Sequence, residues 1–188
     1  MKLVRSLCAL IVLFSLLLLL AASTSEASVL DDTCRSFTAS HADIGYDYCI
    51  RFFQSDKGSA TADRYGLAAI AVKISRASAR RTAGRIAALR GTERDKRRKG
   101  CLASCAEVYG SAVDGLDEAA RGIASRDAAG LRDAVMMLSA ARDAPDTCEQ
   151  GFGELREASP LIAEDEEFSK ESAIALAVTS ALSPPGMI

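Results

Sequence analysis

The residues of this chain that could do chemistry are its cysteines, which number six. Four of them have spacings that suit two disulfide bonds, with Cys34 and Cys49 closing a short N-terminal loop and Cys105 and Cys148 clamping two antiparallel helices. Disulfides persist in oxidising compartments, so this interpretation requires that the chain is secreted. The chemistry that the cysteines predict is therefore structural cross-linking.

The N-terminus has the pattern of a secretory signal peptide. Lys2 and Arg5 precede an apolar run over residues 7–22, and small residues precede the predicted cleavage after Ala27. The run is shorter than the ~20 apolar residues that span a bilayer, which argues against an uncleaved anchor. Cleavage would remove Cys8 and leave 161 residues with a net charge of −3, enough for one domain with a substantial core. We therefore expect a secreted protein with five cysteines, one of them unpaired.

Residues 28–60 predict a small helical hairpin. Helical segments over residues 30–37 and 46–54 flank a turn around residues 41–45. A bridge between the two cysteines of this region, Cys34 and Cys49, would staple the hairpin.

Residues 61–183 carry four longer helical segments with short connections, and none has the alternating pattern of a strand. Thr61 is the expected N-cap of the first, Gly91 is expected to break it, and Pro145 should kink the third. The predicted fold is all-α: an antiparallel up-down-up-down four-helix bundle preceded by the short disulfide-stapled hairpin. Residues 184–188 are expected to form a tail.

Helix geometry decides which cysteines can bridge the bundle. Cys105 lies 20 residues before the turn at Ser125 and Cys148 lies 23 residues after it. At ~1.5 Å rise per residue, their heights differ by about one turn. Cys101, one turn from Cys105, is the alternative partner. Cys105 lies within the apolar stripe and Cys101 flanks it, so we favour the Cys105–Cys148 bridge and a free thiol at Cys101.

Patterns that would indicate an enzyme are missing from the sequence. His41 is the only histidine, so a Ser-His-Asp triad or a typical zinc site is not expected, and we interpret it as exposed polar surface. Asp114, Asp117 and Glu118 are typical of a solvated helix face, and the acidic run over residues 164–167 suits a helix N-terminus. There is no Gly-rich phosphate loop or dinucleotide motif. We expect no catalysis, no metal and no cofactor.

One basic cluster could recruit an anionic partner such as a polyuronate or an acidic protein surface. It consists of Arg94, Lys96, Arg97, Arg98 and Lys99. Because Glu93 and Asp95 are interleaved with it and no aromatic residue accompanies it, we favour a solvated helix start. The near-neutral net charge likewise predicts no nucleic-acid partner.

Several short blocks, distributed over nearly all of the mature chain, carry a resemblance. They are Tyr46-Asp47-Tyr48-Cys49, the stretch over residues 61–70, Cys105-Ala106-Glu107-Val108-Tyr109, Thr147-Cys148-Glu149-Gln150-Gly151-Phe152, Ser159-Pro160-Leu161 and Ala175-Leu176-Ala177-Val178. Together they resemble the plant invertase and pectin methylesterase inhibitor family. The resemblance implies a four-helix bundle with an N-terminal hairpin, disulfides between the first and second and the third and fourth family cysteines, and secretion to the cell wall (apoplast) or vacuole. It also implies binding to a carbohydrate-active enzyme and obstruction of its cleft, with no membrane association after signal cleavage.

The target is less clearly indicated. Invertase inhibitors of the family carry a Pro-Lys-Phe motif between the second and third bundle helices, whereas residues 127–131 read Asp-Ala-Ala-Gly-Leu here. This difference favours pectin methylesterase, with acid invertase as the alternative target. Lys73, Arg76 and Arg80 are the candidate interface residues. A secreted helical lipid-binding protein, which would need an apolar cavity, and a protein anchored by its apolar C-terminal segment are remoter alternatives.

Overall fold

The computed structural model describes residues 29–183, within which seven α-helices are joined by short connections. The predicted signal peptide over residues 1–27 and the tail over residues 184–188 lie outside the described residues. The helices are α1 (29–40), α2 (Tyr46–Gln54), α3 (Arg64–Thr92), α4 (Lys96–Ser125), α5 (Ala128–Arg142), α6 (Ala144–Leu155) and α7 (Ile162–Ser180), with a 3-10 turn at Lys57–Thr61 between α2 and α3.

The prediction of an all-α fold is confirmed, because residues 29–183 contain no strand. Helices α3, α4, α5 with α6, and α7 run up, down, up and down. Ion pairs between adjacent helices mark the two ends of the bundle. Arg126, after α4, pairs with Asp63 before α3 at one end, and Arg85 near the end of α3 pairs with Glu164 at the start of α7 at the other.

The core lies between the four bundle helices and combines a few large side chains with many alanines. Fully buried large residues come from each of them: Leu67, Ile86, Leu102, Tyr109, Leu116, Leu138, Phe152, Phe168 and Ile174. Buried alanines such as Ala71, Ala79, Ala119, Ala134 and Ala175 occupy the positions between them. Small residues at these positions let the helix axes approach closely. The close packing stabilises the fold through dispersion contacts and hydrophobic burial.

The helix boundaries differ from the sequence predictions at three places. Helix α3 is capped by Asp63 rather than Thr61, because the Asp63 carboxylate accepts the Gly66 N–H at 2.7 Å. It continues through Gly91 to Thr92, since one exposed glycine costs a helix only about 1 kcal/mol. Pro145 does not kink a continuous helix. It lies in the first turn of the separate helix α6, where its missing N–H would have no intrahelical partner.

Candidate functional site

A disulfide between Cys105 and Cys148 joins α4 to α6 inside the bundle. The two Cα atoms are 4.7 Å apart, the sulfurs are buried, and the bridge spans 43 residues of sequence. Cys101 lies one turn earlier on α4, is half-buried, and keeps a free thiol that donates to the Gly151 carbonyl at 3.2 Å. The bridge thus fixes the height of α6 relative to α4. It uses Cys105, which lies in the apolar stripe, as the sequence pattern favoured.

A second disulfide, Cys34–Cys49, holds α1 against α2 with its Cα atoms 5.7 Å apart. Gly45 has a φ of +78° immediately before α2, a left-handed conformation that glycine adopts without strain, so the chain can reverse between the two helices. Around the bridge, the Tyr46 hydroxyl donates to Asp31, which also pairs with Arg35. Covalent and polar contacts together make the hairpin one unit.

The hairpin is attached to the bundle by polar contacts with α7 and α3. The Tyr48 hydroxyl donates to Glu167 at 2.8 Å, and the Lys170 ammonium lies 5.8 Å from the centre of the Tyr48 ring. Burial, followed by the hydrogen bond to Glu167, raises the pKa of Tyr48. On the α3 side, Lys73 pairs with Asp56 of the turn after α2 at 2.8 Å. The hairpin therefore extends the bundle surface on a defined side.

The three candidate interface cations lie on one face of α3, at positions spaced by three and four residues. Arg76 and Arg80 both form ion pairs with Asp117 of α4, and the Arg80 Nη2–Asp117 Oδ2 distance is 2.9 Å. The hydrogen bond from Arg76 lowers the pKa of Asp117, so the Asp117 carboxylate stays charged in mildly acidic solution. Lys73 and Arg80 remain 68% and 53% exposed. The face therefore presents cations that are held in place and still accessible.

One carboxylate of the acidic run at the start of α7 is buried. Asp165 of α7 is 2% exposed, accepts a hydrogen bond from the Tyr109 hydroxyl, and lies beside Glu149 of α6. Burial, reinforced by the hydrogen bond with Glu149, raises the pKa of Asp165 to about 8. The buried Oδ2 of Asp165 and Oε1 of Glu149 have no donor, which a proton held between the two carboxyl groups would supply. Residues 164–167 do lie in the first turns of α7, as the sequence predicts, but the burial of Asp165 was not predicted.

This cluster was missed in the sequence, although its spacing gave a signal. Asp165 lies four residues after Leu161 and three before Phe168, in step with the buried face of α7. Cys148, Glu149 and Asp165 place potential ligand atoms within 4.8 Å of one another. The Cys148 sulfur is committed to the disulfide, which leaves two carboxyl groups and no thiolate, a poor donor set for a transition metal.

His41 lies in the turn after α1 and takes part in packing. Its ring stacks on Phe37 with centroids 4.5 Å apart, and its Nδ1 lies 3.0 Å from the Ser40 hydroxyl. It is partly buried rather than fully exposed as the sequence predicted. Its neighbours are the Phe37 ring, the Ser40 hydroxyl and the Phe37 carbonyl, and these contacts hold the turn in place.

The connection between α4 and α5 is a tight turn with no protruding loop. Arg126 adopts the left-handed conformation that ends α4, and Asp127 caps α5 by accepting the Gly130 N–H at 2.8 Å. A Cβ added to Gly130 would lie 2.7 Å from the Gly122 carbonyl oxygen, so the backbones of α4 and α5 touch directly beside the turn. Residues 127–131 thus form a compact, capped corner.

The basic cluster lies at the other end of α4, where the helix begins. Arg98 is turned inward and pairs with Glu93 and Glu157. The remaining cations of the cluster are exposed. No helix among residues 29–183 combines the length and the apolar character that crossing a bilayer requires.

These features define a class of protein: a disulfide-stapled helical bundle whose distinctive groups are fixed charges on its outer faces. The family model for "Plant invertase/pectin methylesterase inhibitor" matches residues 28–178. The chain belongs to this family.

Individual relatives fall on both sides of the family. A protein of Platanus acerifolia named "Putative invertase inhibitor" is 33% identical over 97% of this chain and 99% of its own length. A "Pectinesterase inhibitor" of Actinidia deliciosa is 36% identical over 55% of each chain. Among solved structures, a mutant form of a pectin methylesterase inhibitor from Arabidopsis aligns with a TM-score of 0.65 and 26% identity, covering 78% of this chain and 97% of that one. The relatives are thus named as inhibitors of two kinds of enzyme.

Proposed function

We propose that this protein inhibits pectin methylesterase by forming a one-to-one complex that covers the active cleft, and that it acts after secretion to the cell wall or vacuole. The observation that carries the choice of target is the corner over residues 127–131. The resemblance assigns to invertase inhibitors a Pro-Lys-Phe motif that reaches from this corner into the enzyme. Here the corner has a capping Asp127 and a Gly130 pressed against α4, with no side chain that could enter a pocket.

Because the α4–α5 connection has no protruding loop, we infer that a broad helical face makes the contact with the enzyme. We assign this role to the α3–α4 face that carries Lys73, Arg76 and Arg80. Its guanidinium groups are ordered in advance by Asp117, so less side-chain entropy is lost when they bind. A cationic face also suits a cleft that processes a polyuronate. A stable complex of this kind buries ~1,600 Å² in total, which a single bundle face can supply.

Acid invertase remains the alternative target, because the Platanus relative that matches nearly the whole chain carries an invertase inhibitor name. The lipid-binding alternative finds less support, because the more enclosed cavity, between α1 and α7 and lined by Val29, Phe37 and Ala177 among others, has a volume of only about 260 Å³. A groove of about 630 Å³ between α4 and α5 is lined by Glu107, Asp114 and Glu118 among others, and these acids do not suit an acyl chain.

The test is a paired titration of the secreted protein against pectin methylesterase and acid invertase at several pH values, with residual activity plotted against molar ratio. We expect a one-to-one endpoint with pectin methylesterase and no effect on invertase. Inhibition of invertase alone would replace the proposed target by the alternative, and inhibition of neither would overturn the proposal.

Charge reversal then tests the assigned face. Lys73→Glu with Arg80→Glu should weaken inhibition by roughly tenfold or more, since like or unpaired charges at an interface are costly. A matched control reverses two exposed cations that have no ion pair within residues 29–183, Arg51→Glu with Arg142→Glu. It should change inhibition less than threefold. Equal losses in both variants would show that net charge, and not this face, governs binding.

A further inference from the structure

A surface at one end of the bundle carries cations that the proposed inhibitory face does not use. This surface, the basic tip, consists of Arg90 at the end of α3 and Arg94, Lys96, Arg97 and Lys99 at the start of α4, all of them exposed. Residues 90–99 contain six basic and two acidic residues, a net charge of +4, in a chain whose overall charge is −2. The tip is therefore strongly positive in a chain whose net charge is negative.

The two interleaved acids lower the charge of the tip to +4, but their hydrogen bonds go mainly to the backbone and leave most of its cations without an ion pair. Glu93 Oε1 accepts the N–H groups of Arg94 and Asp95 at 2.8 and 2.9 Å. Asp95 Oδ1 accepts those of Arg97 and Arg98, both at 2.9 Å. The cluster is the solvated helix start that the sequence favours, since α4 begins at Lys96 and four of the five cations are exposed.

Only one cation of the cluster is neutralised by side chains. Arg98 binds the other carboxylate oxygen of Glu93 at 2.9 Å and also pairs with Glu157 after α6. The five residues of the basic tip make no ion pair within residues 29–183. Their charge is therefore available to a partner.

The position of these cations opposes the local preference of the helix. Lys96, Arg97 and Lys99 lie in the first turn of α4, where the helix dipole is positive and acidic residues are favoured, and α4 has no acid in that turn. Positive charge there reduces helix stability. The Asp95 cap offsets part of this cost, but cations that oppose the local preference of a helix and make no ion pair of their own are the kind of departure expected at a binding site.

We propose that the basic tip binds a linear polyuronate, an acidic polysaccharide whose carboxylates pair with its arginines and lysines. The tip is an exposed row of cations rather than an enclosed pocket, so several weak contacts along a polymer suit it better than one small anion. Arginine forks match carboxylates in geometry. Residues 90–99 contain no aromatic side chain for stacking on nucleic acid bases and no large apolar side chain for insertion into a membrane.

The choice of a polyuronate among polyanions rests on the proposed function, because pectin methylesterase hydrolyses methyl esters and leaves free carboxylates on its polymer. The binding itself needs no enzyme and is measured without one. A failure of polymer binding can thus be told from a failure of inhibition.

The experiment measures binding of the full secreted protein to immobilised polygalacturonate, fully methyl-esterified pectin, heparin, duplex DNA and phosphatidylserine vesicles. The tip variant carries Arg94→Gln, Lys96→Gln and Arg97→Gln. The matched control loses the same charge from exposed residues outside the tip: Arg51→Gln, Arg64→Gln and Arg142→Gln. Glutamine has a helix propensity close to those of arginine and lysine, and thermal melting checks that both variants fold.

We expect polygalacturonate to bind, methyl-esterified pectin not to bind, and the tip variant to lose roughly 100-fold in affinity at low salt. The control should stay within threefold of wild type, and binding should weaken as salt rises. Equal binding by the tip variant, or an equal loss in the control, would overturn the proposal. Stronger binding to heparin, DNA or vesicles than to polygalacturonate would also overturn it, in favour of sulfate or phosphate recognition.

Discussion

The backbone contact between α4 and α5 beside their turn makes Gly122 the residue whose replacement should be most informative. A Cβ at Gly122 would overlap the carbonyl oxygen of Gly130 and come within 3.2 Å of the Ala134 Cβ. The obstacle is largely backbone rather than the end of a flexible side chain. The two helices must therefore move apart to accept a methyl group, and the adjoining core between them must loosen.

The magnitude of Gly122→Ala follows from two opposing effects. Alanine improves helix propensity by about 1 kcal/mol. Overpacking against a fixed neighbour costs ~1–3 kcal/mol and can cost more where backbone must move. We expect a net loss of about 2 kcal/mol, which in a domain of this size lowers Tm by roughly 4–8 °C.

Urea and thermal unfolding, followed by circular dichroism, measure this loss. The control is Gly110→Ala on the same helix, where an added Cβ meets nothing within 4 Å. It should gain up to about 1 kcal/mol from helix propensity alone. The two variants are the same substitution on one helix with opposite expected signs. A Gly122→Ala protein with an unfolding midpoint at or above that of wild type would refute the close packing of α4 on α5.

Three further predictions concern the core and its sulfur groups. Removing the central bridge with Cys105→Ala and Cys148→Ala should cost about 4 kcal/mol on the loop-closure model, measured by urea unfolding. The raised pKa of Asp165, about 8, means that the folded state holds a proton which the unfolded state releases near pH 4, so stability should fall between pH 4 and 8. Asp165→Asn should flatten that fall, and an unchanged pH profile of Tm would contradict it. Thiol titration of the denatured, unreduced mature protein should find one thiol, and none in Cys101→Ser.

The parts of the fold that the sequence could predict are those that depend on local periodicity. The stripe on α4 through Cys105, Tyr109, Leu116 and Ile123 is buried along its whole length, because residues three and four apart must share a face of a helix. Once one helix presents such a stripe, a partner must cover it. The all-helical bundle follows from several such stripes joined by short connections.

Helix α3 shows why the same reasoning has limits. Ser75, Ser78 and Thr82 are among its buried residues, so its inward face does not stand out by hydropathy. Asp165 is a similar case on α7, since the helix N-terminus explained its charge while its position belonged to the buried face. Pattern reasoning assigns polar residues to the surface. Close helix packing and a neighbouring Tyr109 hydroxyl can reverse that assignment.

The roles of Glu93 and Asp95 depended on where α4 begins, which composition alone does not determine. As members of a charge run, they balance part of the basic cluster. As capping residues, they satisfy backbone N–H groups that a helix start leaves without partners. In the structure they do both: their charges lower that of the tip, while their hydrogen bonds to the backbone leave the exposed cations of the cluster without an ion pair.

The arrangement of the two proposed surfaces follows from helix length. Helix α4 has 30 residues and so extends about 45 Å from the basic tip to the corner at residues 127–131. On α3, ten residues separate Arg80 from Arg90, about 15 Å along the axis. A polymer held at the tip would therefore leave the α3–α4 face free for a second partner while keeping that partner within a few sugar units of the bound strand. On the two proposals together, the inhibitor would be retained where free carboxylates are abundant, which is where the proposed target enzyme has acted.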